Sequence, residues 1–290
     1  MSPSASRTRW LLAVATTLAT LLYTVDSTIV NVALPHIQGT LQATQDQAAW
    51  IVTAYIVTSA IAMPLAGWLG ARYGLRRILL LSIMGFTAGS VLCGIAGDLT
   101  EMVLFRVLQG YCGAALVPLS QVALLQEFPR ESHGRVMALW GVGVMVGPIL
   151  GPTLGGWLTQ NWDWRWVFYI NVPIGVVTFL GLSAYLAPGK AQRTAFDWFG
   201  FAMLGLAIGA FQTMLDRGEQ LDWFGSTEIV VEAVVAGLAF YLFLVQTFTA
   251  PQPFIDPAIF RDRNFVLGLC FIFVVGIILL ASLALITPYL

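Results

Sequence analysis

The stretch GVGVMVGPILGPTLGGWL, residues 141–158, decides how the chain is read. Eight of its residues are Gly or Pro, the two residue types that most weaken a helix in water. It nevertheless lies in an apolar run of the length that crosses a bilayer as a helix. Gly143, Gly147, Gly151 and Gly155 recur at every fourth position, so on a helix they form one flat ridge that lets another helix come close. Pro148 and Pro152 each remove a backbone hydrogen bond and bend the rod, which neighbouring helices compensate within a membrane.

The rest of the chain agrees with a membrane setting. Of its 290 residues, 58% are hydrophobic and 10% charged, against roughly a quarter charged in soluble domains. A net charge of −1 and two isolated histidines, His36 and His133, speak against nucleic-acid binding and a His-based metal site. Cys93, Cys112 and Cys270 have no CxxC spacing and fall in apolar runs, so they read as small buried apolar residues. The first apolar run, after Arg7 and Arg9, is too long for a signal peptide and no small-residue cleavage site follows it; it is a retained first span.

A span needs about 20 mostly apolar residues, and on that ruler the sequence predicts nine, at 10–34, 48–70, 78–97, 100–124, 136–158, 166–187, 197–215, 227–248 and 264–288. Their continuous rather than alternating hydrophobicity indicates helices. With the N-terminus inside, eleven of the 14 Lys and Arg residues fall on the inner side: Arg7, Arg9, Arg72, Arg76, Arg77, Arg130, Arg135, Lys190, Arg193, Arg261 and Arg263. Only Arg165 and Arg217 lie outside, and Arg106 is within a span. That bias sets a cytoplasmic N-terminus.

Asp26 and Arg106 are charges inside spans, each costing roughly 2.5–3.5 kcal/mol on insertion scales. At ~1.5 Å per residue, Asp26 lies about 12 Å from the outer end of the first span and Arg106 about 10 Å from that of the fourth, so they share a depth. Two readings follow: a structural ion pair, or a carboxylate that exchanges a proton as its surroundings dry or as a cation approaches. The second is the minimum requirement for proton coupling. Asn31, Gln109 and Gln121 add uncharged hydrogen-bonding groups, a type that also joins helices together. Tyr23, Tyr55, Trp140 and Phe168 line a drug cavity, face lipid or pack the core. No GxxxxGK[ST], HExxH or GxSxG motif occurs; the sequence carries no sign of an enzyme, and energy for any transport has to come from a gradient.

Four stretches resemble the major facilitator superfamily, and within it the EmrB/QacA-like branch of fourteen-helix drug/proton antiporters. DSTIVNVALPHI (26–37) is similar to the first-helix signature, with Asp26, Asn31 and Pro35 in register. GWLGARYGLRR (67–77) resembles the cytoplasmic gate motif at Gly67, Arg72, Gly74, Arg76 and Arg77, although Ala71 stands where that motif usually has an acid. The arginines keep the ability to bind helix C-termini or anionic lipid heads. FRVLQGYCGA (105–114) is similar to the helix-four motif implicated in proton transfer, at Arg106, Gln109 and Gly110, with Cys112 where Gly is frequent. The opening stretch, with Gly143, Gly147, Pro148, Gly151, Pro152, Gly155 and Gly156, resembles the antiporter motif of helix five.

The resemblance implies an all-α polytopic membrane protein of the major facilitator fold, with no cofactor and no metal. Residues 1–9 would be a cytoplasmic N-terminus, 10–187 the N-terminal six-helix bundle, 188–248 a cytoplasmic loop and two linking helices, and 249–290 a loop and the first helix of an incomplete second bundle. It implies proton-coupled efflux of lipophilic or cationic compounds across the cytoplasmic, inner membrane of a bacterium. Asp26, Arg106, Asn31 and Gln109 would couple proton to substrate, and the glycine helix would form a close interface between two rocking halves. Transport of another solute is the alternative, as is a truncated, non-transporting remnant or assembly partner. Expected partners are the lipid bilayer, small-molecule substrate and protons, with the periplasmic adaptor and outer-membrane channel that some relatives use; nucleic acid is not among them.

Overall fold

The computed structural model describes residues 3–189, 191 and 195–286. Among them there is no strand. The first helix, α1 (Pro3–Leu41), is longer than its predicted span and runs unbroken through Pro35. The second predicted span is two helices, α2 (Gln45–Ala62) and α3 (Leu65–Tyr73), bent by 54°. The bend lies at Pro64, whose ring cannot continue the helix before it. α2 starts on a capping box in which Thr44 and Gln47 exchange side-chain and backbone hydrogen bonds, two orphan donors satisfied at once.

α3 and α4 (Leu75–Ile95) are separated by Gly74 alone, at φ 92°. That left-handed backbone is open to glycine and strained for other residues, which accounts for the glycine of the gate-like motif. The fourth span is α5 (Leu99–Gly113) followed by α6 (Leu116–Glu127). Asp98 caps α5 by accepting from the Glu101 amide, and Pro118 sits in the first turn of α6, where its missing N–H is no loss. The glycine-rich stretch lies in α7 (His133–Asn161), continuous through Pro148 and Pro152. The sixth span is the short α8 (Trp166–Tyr169) and α9 (Asn171–Tyr185), again with a proline, Pro173, just past the break.

Three further helices follow, α10 (Trp198–Arg217), α11 (Thr227–Thr249) and α12 (Arg263–Ile286). Among the described residues, seven helices or helix runs are long and apolar enough to cross a membrane, eight with the bent α2–α3 pair, and α12 adds an apolar stretch at Arg263–Ile278. Lys190, Arg193 and the end of the ninth predicted span lie outside the described residues.

α1 is the central rod, packed against α7, α9, α6 and α2. Around it the core falls into two main layers. One gathers Leu12, Leu22, Leu79, Phe86, Leu116 and Leu182; the other gathers Ile29, Ile37, Ile51, Met102, Val167 and Phe168. α10 and α11 pack on each other, and α10 leans on α2. Asp197 pins this pair: it caps α10 at Gly200, and accepts from the Gln246 side chain on α11 and from the Phe254 amide.

Candidate functional site

Asp26 stands on α1 between the two layers, with neither it nor Arg106 reachable by solvent. Arg106 of α5 donates from Nη1 to Asp26 Oδ2 at 2.6 Å. The same nitrogen donates to Gln109 Oε1 at 2.8 Å, and Arg106 Nε donates to the Ile51 carbonyl of α2 at 3.1 Å. Gln109, one turn along α5, donates from Nε2 to Asp26 Oδ1 at 2.9 Å. Asn171, at the start of α9, donates from Nδ2 both to Asp26 Oδ1 and to Ser90 Oγ of α4, each at 2.9 Å. Ser90 in turn donates to the Phe168 carbonyl at 2.9 Å. The guanidinium lies 4.0 Å from the Tyr55 ring centroid, with Phe168 at 5.9 Å.

This arrangement is possible because α5 comes very near α2. A methyl group on Gly110 would sit 2.6 Å from the Tyr55 carbonyl oxygen, so only glycine permits that approach. Removing two charges from water costs several kcal/mol per ion, offset only where geometry is good and the remaining lone pairs are satisfied. Here the carboxylate receives three charge-assisted or amide hydrogen bonds, drawn from α5 and α9, and the cation receives a carbonyl and two ring faces. The site can hold a full charge pair in a dry interior. Every polar partner of Asp26 is a donor, so the network as it stands suits a charged carboxylate.

Of the residues singled out in the sequence, Asp26, Arg106 and Gln109 come together. Asn31 does not: it is exposed on α1 and reaches only the Ser27 carbonyl of its own helix, at 3.5 Å. Five residues on a helix amount to about 140° of rotation, which carries Asn31 off the Asp26 face. Asn171 and Ser90 were not singled out, yet both are fully buried in the network. The signal for Asn171 was an amide interrupting the apolar string FYINVPIG. Tyr55 and Phe168 prove to be core residues stacked on the guanidinium, facing neither lipid nor cavity. Trp140 donates to Thr20 Oγ1 at 2.9 Å.

The glycine ridge requires a correction. It was expected at an interface between two halves, but Gly143, Gly147, Gly151 and Gly155 all face α1 of the same bundle. A methyl on any of the four would fall under 3.0 Å from an α1 atom: Thr17, Thr24 and Thr28 side chains for the first three, and the Ile29 carbonyl for Gly155. Each of these threonine hydroxyls bonds back to its own helix, so along the ridge the seam is backbone against side-chain methyls and hydroxyls, with the Trp140–Thr20 hydrogen bond crossing the same two helices. Gly156 meets α1 only at an ordinary 3.8 Å, and Pro152 is exposed on the far flank with Pro148 half-buried beside it. In the gate-like motif, Gly67 has open space around it. Arg76 donates to the Ser183 carbonyl in the last turn of α9, a cation at the negative end of a helix. Arg72 is in the last turn of α3 and Arg77 is exposed.

Asn171→Leu removes one donor to a buried carboxylate, a bond worth about 1.5–3 kcal/mol when charge-assisted. Reversible unfolding in mixed micelles should show a loss of that size, whereas Asn31→Leu should stay within about 0.5 kcal/mol of wild type. Equal effects from the two would mean that Asn171 does not support Asp26.

Comparison with known proteins gives a consistent result. The profile of the Major Facilitator Superfamily matches residues 16–290. The multidrug export protein EmrB of Escherichia coli (strain K12) is 41% identical over 261 residues, 89% of this chain and 51% of that protein. The fatty acid resistance protein FarB of Neisseria gonorrhoeae is 40% identical over 253 residues, 87% of this chain and 50% of that protein. The chain thus spans about half the length of the curated relatives it matches. Among solved structures, the POT family transporter PepTSo aligns with a TM-score of 0.58 at 11% identity, over 85% of this chain and 54% of that one. The proton:xylose symporter XylE aligns at 0.57 and 13% identity, over 85% and 55%. At these identities the structures speak for the fold.

Proposed function

Because the chain belongs to the Major Facilitator Superfamily, we propose that it supplies the N-terminal bundle (10–187), the linking pair (188–248) and the beginning of a second bundle (249–290) of a proton-coupled antiporter that expels lipophilic or cationic compounds. The observation that carries this reading is the buried network of Asp26, Arg106, Gln109 and Asn171. A carboxylate at mid-depth in a membrane is costly unless it is used or paired, and this one is surrounded by donors that respond to its charge. Asp26 holds a proton in one phase of the cycle and a cation's influence in the other; Arg106 and the two amides set the balance. The names of EmrB and FarB point to toxic, apolar compounds as the substrate class.

The membrane is the bacterial inner membrane, with the N-terminus in the cytoplasm, on the strength of the eleven-to-two distribution of basic residues. Arg72, Arg76 and Arg77 then lie on the cytoplasmic side, where Arg76 braces the end of α9. The α1–α7 glycine seam makes those two helices a single moving unit rather than the contact between halves. A periplasmic adaptor and an outer-membrane channel are the partners that would carry the compound onward.

The test is transport in proteoliposomes holding the full chain, with a fluorescent lipophilic cation such as ethidium and an imposed pH gradient. Ethidium should move against its gradient when protons flow the other way, and a protonophore should stop it. Ethidium movement that ignores both the pH gradient and the protonophore would remove proton coupling from the reading.

A further inference from the structure

The bundle carries a second cluster of charge that the antiport reading does not use. Where α3 turns into α4 at Gly74, and where the chain leaves α9 at Pro188 and Gly189, a cleft of about 330 Å³ opens beside Arg76 and Arg77, with Leu80 and Pro188 as its apolar wall. Arg76 is not free to swing away, because its Nη2 donates to the Ser183 carbonyl of α9. That anchor leaves its buried Nε without an acceptor. Arg77 is exposed, and among the described residues neither Arg76 nor Arg77 forms an ion pair. Ala71 stands where the motif resembled by this stretch has an acid, so the nearby sequence offers no compensating carboxylate at that position. The first turn of α4 has no side-chain cap and no acidic residue, and its amides and dipole add to the positive field at the same place.

A second observation, on the same helix pair, says what kind of anion belongs there. Farther along the seam between α4 and α9 runs an apolar groove of about 290 Å³, lined by Met84, Ala88, Val91, Val176 and Leu180 among others. Leu80 lines the cleft and Met84, one turn farther along α4 and half exposed, lines the groove. From Arg77 to Met84 is seven residues, or about 10 Å of helix. A fixed phosphate-binding end followed by an apolar channel at that offset matches a phospholipid, and a free phosphate would make no use of the channel.

We infer that the α4–α9 seam holds one anionic phospholipid, its phosphate between Arg76 and Arg77 at the first turn of α4 and one acyl chain in the groove past Met84. Arg76 offers a planar guanidinium held in place by its bond to the Ser183 carbonyl, which suits phosphate geometry. Arg77 contributes charge near the membrane surface, where each basic residue changes lipid preference about five-fold. The lipid would also tie α4 to α9 at the end where the arginine-to-carbonyl bond already joins them.

The test reads bound lipid, and so is independent of whether the protein exchanges protons. The full chain is taken from membranes containing phosphatidylglycerol and phosphatidylcholine, and retained lipid is counted by native mass spectrometry. Phosphatidylglycerol should be retained in preference to phosphatidylcholine. Arg77→Gln, at an exposed position, should cut that preference about five-fold, and Arg76→Gln with Arg77→Gln about thirty-fold. Ala88→Trp, on the exposed side of the groove, should displace the lipid while both arginines remain. Arg165→Gln, whose ion pair with Asp163 is elsewhere, should change nothing, and excess inorganic phosphate should leave the lipid bound. Unchanged preference in Arg77→Gln and the double variant would overturn the inference. So would displacement by inorganic phosphate together with indifference to Ala88→Trp, which would make the cleft a site for free phosphate.

Discussion

Asp26→Asn made together with Arg106→Gln is expected to give a protein that inserts and folds much as the wild type does and moves no ethidium in response to a pH gradient. The single changes should be worse for the fold than the pair. Arg106→Gln alone leaves a buried carboxylate with only Gln109 and Asn171 as donors, and breaking a buried pair in this way costs about 3–5 kcal/mol. Asp26→Asn alone strands a guanidinium that keeps the Ile51 carbonyl, Gln109 and two rings but no counter-charge. Replacing both with amides removes the desolvation of two ions together, so neither is left as an uncompensated buried charge. The four proteins form a double-mutant cycle, read once as unfolding free energy in mixed micelles and once as pH-driven transport. Stability restored with transport lost separates the proton's use of Asp26 from its role in holding the bundle together. Transport retained by the double variant would reduce the pair to a structural one and send the search for the coupling carboxylate elsewhere.

Gly151→Ala is expected to destabilise by about 1–3 kcal/mol, the usual result of forcing a methyl into a packed contact, even though alanine is worth about 1 kcal/mol more than glycine within a helix. The new methyl overlaps the Thr28 hydroxyl, and Thr28→Ala removes that atom, so the double variant should recover most of the loss. Gly155→Ala makes the complementary case. Its methyl would stand 2.9 Å from the Ile29 backbone oxygen, which no substitution can trim, and Ile29→Ala should give no rescue. Thermal stability in detergent of these four variants decides the matter. A neutral Gly151→Ala, or a Gly155→Ala rescued as readily as Gly151→Ala, would show that α1 and α7 do not touch along this ridge.

The positions of the helices could be read from the sequence because every apolar run is longer than any alternative structure would allow. What could not be read is where a run breaks. Prolines interrupt the helix at Pro64 and stand just beyond the breaks before Pro118 and Pro173, while Pro35, Pro148 and Pro152 leave theirs continuous. Local sequence does not distinguish these, since the outcome depends on what the surrounding helices can do for the freed carbonyl. The chemistry shows the same division. Asp26, Arg106 and Gln109 stood out because polar groups within apolar runs are costly and therefore few. Asn31 was grouped with them as a polar group within a span and by its place in the first-helix signature, neither of which says that five residues turn it off the Asp26 face. Asn171 was missed because its partner is 145 positions away, and no periodicity links residues on helices that meet only through folding. The glycine spacing likewise announced a flat face but not its occupant, the α1 face that carries Thr17, Thr24 and Thr28.

The closure of the Asp26 network has a consequence for how the protein is made. Asp26 is synthesised 80 residues ahead of Arg106 and 145 ahead of Asn171. At about 5–20 residues per second, the guanidinium trails by roughly 4–16 s. During that interval the first helix has its carboxylate but none of the groups that make it tolerable in lipid. Until α5 emerges, α1 carries this carboxylate at the full insertion cost of roughly 2.5–3.5 kcal/mol, with no buried partner to offset it.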